Sequence, residues 1–175
     1  MLNAIEVILI CLVAQAAITD LALRKIPNVL ILSGLLLALT LHLLAGPPWA
    51  PLSHWLAGAL AGFFLFLPLY LLHGMAAGDV KLMAMVGSFV GPWPAVKIAA
   101  LSYLIGGLMA LAMMLFSGRW RQGTRNLVLI CKPLLLRLLG VPLLPVPMPP
   151  AASAGGVPYG VAIALGTAGV IVWMH

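Results

Sequence analysis

Long apolar stretches follow one another along this chain, and only short polar breaks separate them. Hydrophobic residues make up 64% of the 175 residues, whereas charged residues make up 7%. A water-soluble domain carries about a quarter charged residues, so this chain has too little polar surface to cover a core in water. Stretches of roughly 20 apolar residues can cross a bilayer as helices. We therefore predict an all-α, polytopic integral membrane helix bundle, with one domain over residues 1–175.

The polar and proline-rich breaks predict about six transmembrane helices. The predicted helices run from about Ala4 to Leu23, Val29 to Leu44, Leu56 to Leu72, Val80 to Val90, Ala95 to Phe116 and Val157 to Met174. The fourth is too short to span a bilayer unaided. The first is interpreted as a retained helix and not as a signal peptide, because Glu6 stands where a basic region would be.

The connection 117–156 is the only long one between predicted helices, and it carries several basic residues before a proline-rich run. We expect it to lie in the cytoplasm or at the membrane surface. Its Leu-rich segment around Leu134 to Leu139 is flanked by Lys132, Pro133 and Arg137. These neighbours favour a helix lying on the membrane surface over a seventh span.

The basic residues predict the orientation of the helices. Short loops rich in Lys and Arg stay on the cytoplasmic side of a membrane. With the first break in the cytoplasm, eight of the nine basic residues fall on that side, and Lys97 is the exception. Both termini then face the periplasm. Because the basic residues are scattered and form no solvated face, nucleic acid is not an expected partner.

Two of the three acids, Asp20 and Asp79, fall at the cytoplasmic ends of the first and fourth predicted helices. Ionisable groups at membrane depth are costly and are functional candidates by default. Peptide hydrolysis needs a base and an acid, and two carboxyls about 3 Å apart share one proton and fill both roles. Position alone also allows Asp79 to cap a helix and Asp20 to reach lipid headgroups.

Two short segments around these acids resemble motifs of a known family. Asp20–Asn28 reads Asp-Leu-Ala-Leu-Arg-Lys-Ile-Pro-Asn, and Ala77–Leu82 reads Ala-Gly-Asp-Val-Lys-Leu. The first resembles the first-aspartate motif of the type IV prepilin peptidases, in which an Asp at a helix end precedes a basic Ile-Pro-Asn turn. The second is similar to that family's Gly-x-Gly-Asp-x-Lys motif, with Ala76 in place of its first Gly. Val157–Gly160 resembles the segment that opens the family's last helix.

The resemblance implies the fold of the Gly-Asp intramembrane aspartic peptidases, placed in the bacterial inner membrane. It implies cleavage of prepilins or pseudopilins after the Gly that ends a basic leader, at the cytoplasmic membrane face, for pilus or secretion-system assembly. The implied catalytic pair is Asp20 and Asp79. The residues expected to support them are Gly78, Lys81, Pro27 and Asn28.

Bifunctional members of that family carry an amino-terminal cytoplasmic region with paired cysteines, which is associated with N-methylation of the mature pilin. This sequence has two cysteines, Cys11 and Cys131, which lie far apart. It is similar to the short, stand-alone peptidases of tight-adherence (Flp-type) pilus systems. We therefore expect cleavage without methylation.

Other functions stay open at this point. Because Ala76 departs from the motif, a catalytically weak or inactive peptidase-like scaffold of a pilus or secretion apparatus is the alternative. A proton-coupled transporter is a third, although inverted repeats are not detectable. No cofactor is expected, and the four histidines fit no metal-binding spacing. The lipid bilayer is an expected partner, and a homo-oligomer is possible.

Several residues also have plain structural interpretations. Lys81 is typical of a topology determinant, Asn28 of a helix cap and Tyr159 of an interface aromatic. Glycines recur four residues apart, as at Gly58 and Gly62, a spacing that predicts close packing of helix backbones in lipid. The same spacing occurs at Gly74 and Gly78, Gly87 and Gly91, and Gly156 and Gly160.

Overall fold

Six α-helices form the part of the protein that the computed structural model describes, which is residues 3–45, 49–72, 74–116 and 157–174. In chain order they are α1 (Ala4–Leu23), α2 (Asn28–Ala45), α3 (Trp49–Leu71), α4 (Ala77–Val90), α5 (Pro92–Phe116) and α6 (Tyr159–Met174). These residues contain no strand, which confirms the all-α prediction. The predicted surface helix in 117–156 lies outside the described residues.

The chain divides into two compact units. The first consists of Met1–Gly107 together with Pro158–His175, and the second of Leu108–Val157. Within the second unit, the described helical residues are the last turns of α5. All contacts discussed below lie in the first unit.

Helices α3, α4 and α5 begin earlier than the breaks in the sequence predict, and α4 begins at Ala77 where Val80 was predicted. Helix α3 begins at Trp49 where Leu56 was predicted, and α5 begins at Pro92 where Ala95 was predicted. Prolines in these breaks had suggested turns. A proline in the first helical turn is tolerated, however, because the N–H that it lacks would have no partner there. The prolines therefore start α3 and α5 and do not delay them.

Short turns join α1 to α2 and α4 to α5. Helix α1 ends at Leu23, and the C-cap residue Arg24 has a left-handed φ of 54° and donates its N–H to the Asp20 carbonyl oxygen at 2.9 Å. The Pro27 carbonyl then accepts from the first turn of α2. Gly91, with φ of 82°, ends α4 one residue before α5 begins. A positive φ is readily adopted by glycine, which explains why a single residue suffices there.

Three helices are long and apolar enough to cross a membrane. They comprise Ala4–Leu23, Leu52–Leu71 and Pro92–Phe116. Two further helical stretches, Asn28–Leu44 and Tyr159–Met174, are apolar but shorter. Large hydrophobic side chains such as Phe64 remain exposed on the bundle, a surface that suits lipid. The chain is therefore a membrane protein, while six spans and periplasmic termini remain predictions.

The short helix α4 lies at the centre of the bundle and contacts α1, α2, α3 and α6. Its closest neighbour is α3. A Cβ atom added at Gly58 or at Gly87 would overlap the backbone of the other glycine, and one at Gly62 would overlap the Met83 backbone. These glycines let the two backbones touch, which confirms the predicted packing role for them. The buried apolar side chains of α4 are Val80, Leu82, Met83, Met85, Val86 and Phe89.

Candidate active site

Asp79 lies in the first turn of α4 and is buried, with 5% of its surface exposed. Its Oδ2 accepts a hydrogen bond from the Ala76 backbone N–H at 3.1 Å. Ala76 is the N-cap residue, and Asp79 is the third helical residue, which reaches back to that amide. The carboxylate is thus held at the positive end of the α4 dipole. Asp79 therefore supports the helix start without being the N-cap itself.

Asp20 lies in the last turn of α1 and is also buried, with 8% of its surface exposed. Its Oδ2 accepts a hydrogen bond from the Gly160 backbone N–H at 2.9 Å. Gly160 is the second residue of α6, and the amides of a first helical turn have no partner within the helix. The Asp20 carboxyl therefore lies against the N-terminus of α6, where the helix dipole favours negative charge.

The structure brings Asp20 and Asp79 to the same end of the bundle. Helices α1 and α4 pack against each other, and the turn that follows Asp20 reaches the start of α4, where a Cβ at Gly78 would lie 3.5 Å from the Ile26 Cβ. This end is called the acid-pair end below. Two residues that are distant in the sequence thus place two buried carboxyls in one site.

Two of the expected supporting residues form a link between α2 and α4 beside the acid pair. The Lys81 ammonium donates to the Asn28 side-chain oxygen at 3.1 Å. Asn28 is the first residue of α2, and the helix's opening N–H groups donate to the Pro27 carbonyl. Because both side chains are exposed, this hydrogen bond between α2 and α4 contributes little to the stability of the fold.

The two small residues that precede Asp79 adopt ordinary geometry. Ala76 has φ of −83° and ψ of 155°, an extended conformation open to any residue. Alanine in place of the motif glycine therefore introduces no backbone strain. A Cβ at Gly78 would lie 3.5 Å from the Ile26 Cβ, an ordinary van der Waals distance. Contacts among the described residues do not by themselves require a glycine at Gly78.

Tyr159 and Gly160 belong to the site, although the sequence predicts only an interface role for Tyr159 and a packing role for Gly160. A Cβ on Gly160 would lie 2.9 Å from both Cβ and Oδ2 of Asp20. The half-buried Tyr159 packs its ring against Gly106 of α5. In the sequence, the Val157–Gly160 segment resembles the opening of the family's last helix. Nothing in that segment indicates a contact with Asp20.

The histidines do not contribute to the acid pair among the described residues. His42 and His54 are distant in sequence, but their ring centroids lie 5.6 Å apart. The His42 Nε2 lies 3.0 Å from the Ser88 carbonyl oxygen. Because a carbonyl only accepts, Nε2 is the protonated nitrogen. Among the residues described, no three His, Cys, Asp or Glu side chains are grouped as a metal site would need.

The fold and the site define a class of protein: a helical membrane protein with two buried carboxyl groups, from two helices, at one end of its bundle. A model of the type IV leader peptidase family matches residues 7–111, which is more than half of the chain and includes both aspartate motifs. The chain belongs to this family of peptidases. Comparison with curated proteins and with solved structures gave no match.

The matched residues end before α6 begins. The family match therefore covers Asp20 and Asp79 but not Gly160, whose amide holds Asp20. The contribution of α6 to the site comes from the tertiary structure.

Proposed function

We propose that this protein is an aspartic endopeptidase of the bacterial inner membrane, with several membrane spans, that removes the basic leader from prepilins or pseudopilins. Cleavage follows the Gly that ends the leader, at the cytoplasmic membrane face, and serves pilus or secretion-system assembly. The observation that carries the proposal is the placement of Asp20 and Asp79, both buried, at the same end of two helices that pack against each other.

The paired carboxyls suit acid–base hydrolysis of a peptide bond. Two neighbouring carboxyls away from water do not both ionise, because their negative charges would repel each other. The pair therefore shares one proton. The ionised carboxylate takes a proton from water, and the resulting hydroxide adds to the scissile carbonyl carbon. The protonated carboxyl gives its proton to the carbonyl oxygen. Collapse of the tetrahedral intermediate breaks the C–N bond: the leaving amine takes a proton from one carboxyl, and a hydroxyl of the intermediate gives its proton to the other, which restores the shared proton.

The hydrogen bonds at the site support this role. Among the described residues, the bonds to both acids engage Oδ2: the Gly160 amide holds Asp20 and the Ala76 amide holds Asp79. Each carboxyl is thereby held in orientation through its Oδ2. Such preorganisation by backbone amides reduces the reorganisation needed in the transition state.

A membrane-embedded site suits a substrate whose scissile bond lies between a basic leader and a hydrophobic helix. The hydrophobic helix can stay in lipid while the leader remains in the cytoplasm, where anionic headgroups attract its basic residues. We propose cleavage alone, without N-methylation, as the resemblance to the short, stand-alone peptidases implies. The mass of the new amino terminus would reveal a methyl group.

The class of activity is tested by co-expressing the protein with a panel of prepilins whose basic leaders end in Gly. The wild-type protein is expected to shorten at least one of them, and the double variant Asp20→Asn/Asp79→Asn is expected to shorten none. Glu6→Gln is the matched control, because Glu6 is the remaining acid and lies at the start of α1. Normal processing by the double variant would refute the aspartic mechanism. A wild-type protein that cuts no prepilin but co-purifies with pilus machinery would support the scaffold alternative instead.

Gly160→Ala is expected to lower kcat about tenfold to a hundredfold, because the new methyl group displaces Asp20 by a fraction of an ångström and catalysis is sensitive to such shifts. A Cβ there would lie 2.9 Å from the Asp20 carboxyl oxygen. Alanine is a better helix former than glycine by about 1 kcal/mol, which offsets part of the cost of the close contact, so the loss of stability should be small beside the loss of kcat. The matched control is Gly107→Ala, where no atom of the described residues lies within 4 Å of the added Cβ. Equal kcat values for the two variants would contradict a positioning role for Gly160.

A further inference from the structure

A groove runs between α5 and α6, towards the end of the bundle opposite the acid pair. The two helices touch where Gly166 lies against Ser102. Beside this contact, a shallow, open cleft of about 640 Å³ lies on the surface. Its sides include Ala100, Leu101, Leu104 and Gly169. Ala100, Leu104 and Gly169 are exposed, so the cleft faces the lipid around the bundle.

One end of this groove carries a cation on an aromatic ring. The Lys97 ammonium lies 4.7 Å from the centre of the Trp173 ring, and both side chains line the groove. Trp and Lys are the residues that mark the boundary between the hydrocarbon and the headgroups of a bilayer. Lys97 lies in the second turn of α5 and Trp173 in the last turn of α6. The groove therefore joins an apolar cleft to a positive charge and an aromatic ring, the side chains typical of headgroup depth.

We propose that this groove binds a phospholipid, with its phosphate on the Lys97 ammonium and one acyl chain along the cleft. The ring of Trp173 covers one side of the ammonium, and its N–H donors can still reach a phosphate oxygen. The apolar walls of the groove match the acyl chain of a phospholipid, and the Lys97 ammonium matches its phosphate. Basic sites between membrane helices bind lipid headgroups in this way.

A phospholipid fits the groove better than a second copy of the chain does. Packing the groove against another apolar helix face would bury the Lys97 ammonium without an anion, and an uncompensated charge in an apolar interface is strongly unfavourable. A phosphate supplies that anion. The half-buried position of Lys97 also holds the ammonium in place for one.

Native mass spectrometry of the full chain, released from detergent after titration with phosphatidylglycerol, tests the proposal. The wild-type protein is expected to retain one lipid, and Lys97→Gln to lower its affinity for phosphatidylglycerol about fivefold. Lys25→Gln makes the same chemical change in the turn between α1 and α2 and is the matched control. Ala100→Leu fills the groove and is expected to lower retention as well, whereas Val172→Leu adds apolar volume to α6 at a position that is 71% exposed and outside the groove.

The comparison of lipids separates the contributions of phosphate and acyl chain. Diacylglycerol with the same chains lacks the phosphate, so its retention should be weak and unaffected by Lys97→Gln. Equal retention of phosphatidylglycerol by wild-type protein, Lys97→Gln and Ala100→Leu would overturn the proposal. So would a dimer that Ala100→Leu dissociates with no change in bound lipid, since the groove would then be an interface between copies. Neither readout depends on peptidase activity.

Discussion

Asp79→Asn is expected to reduce the rate of leader cleavage by the purified protein about 10³-fold, within the range attributed to general acid–base catalysis. Asparagine has nearly the shape of aspartate, and its amide oxygen can still accept the Ala76 N–H that Oδ2 accepts in the wild type. It can neither take a proton from water nor supply one. The loss should therefore appear in kcat, with the unfolding free energy changed little.

Asp20→Asn is expected to reduce the rate of leader cleavage by a similar factor. The oxygen of the asparagine side chain can still accept the Gly160 N–H, so the fold is kept. Groups that act as one catalytic unit are not additive, so the double variant should be no slower than either single variant. Steady-state cleavage of a purified prepilin in detergent or nanodiscs gives the three rates, with Glu6→Gln as the control. A single variant that keeps more than about a tenth of the wild-type rate would be incompatible with the paired mechanism.

Gly87→Val is expected to have the second large effect, on stability. Its Cβ would overlap the Gly58 backbone, so α3 and α4 must separate before a side chain can fit. Overpacking of a fitted interior costs about 1–3 kcal/mol, and a clash with backbone belongs at the upper end of that range. We expect a loss of about 3 kcal/mol in equilibrium unfolding measured in mixed detergent micelles.

The control for this change is Gly107→Val, which adds the same side chain to a helix where the space around the glycine is open. Its unfolding free energy should stay close to the wild-type value. Equal unfolding free energies for Gly87→Val and Gly107→Val would contradict the close approach of the α3 and α4 backbones. Leader cleavage by Gly87→Val should fall too, because α4 carries Asp79.

Much of this architecture is predictable because it depends on local sequence. The apolar run that forms α1 has its predicted bounds, Ala4–Leu23, since backbone groups in lipid must be satisfied within a helix. The first residues of α3 and α5 are predicted less accurately. Proline signals a break in the sequence but is equally at home in a first helical turn, and only the observed backbone distinguishes the two.

For the candidate active site too, some features are predictable from local sequence and others are not. Asp20 and Asp79 stand out in the sequence because charge is rare among apolar residues, and their motifs indicate a shared function. That Asp20 accepts from Gly160, on a helix at the other end of the chain, has no local signal. The same holds for Tyr159 against Gly106 and for Lys97 over Trp173. Each pairing depends on which helices become neighbours.

The sequence by itself determined that this protein is helical, that it belongs in a membrane and that two acids are its chemical candidates, because hydropathy and rare charges are properties of single segments. The tertiary structure alone decided which amide orients Asp20, which glycines let α3 and α4 touch and where a cation meets an apolar groove. Those features arise from close approach between distant segments, and backbone geometry in three dimensions sets that approach.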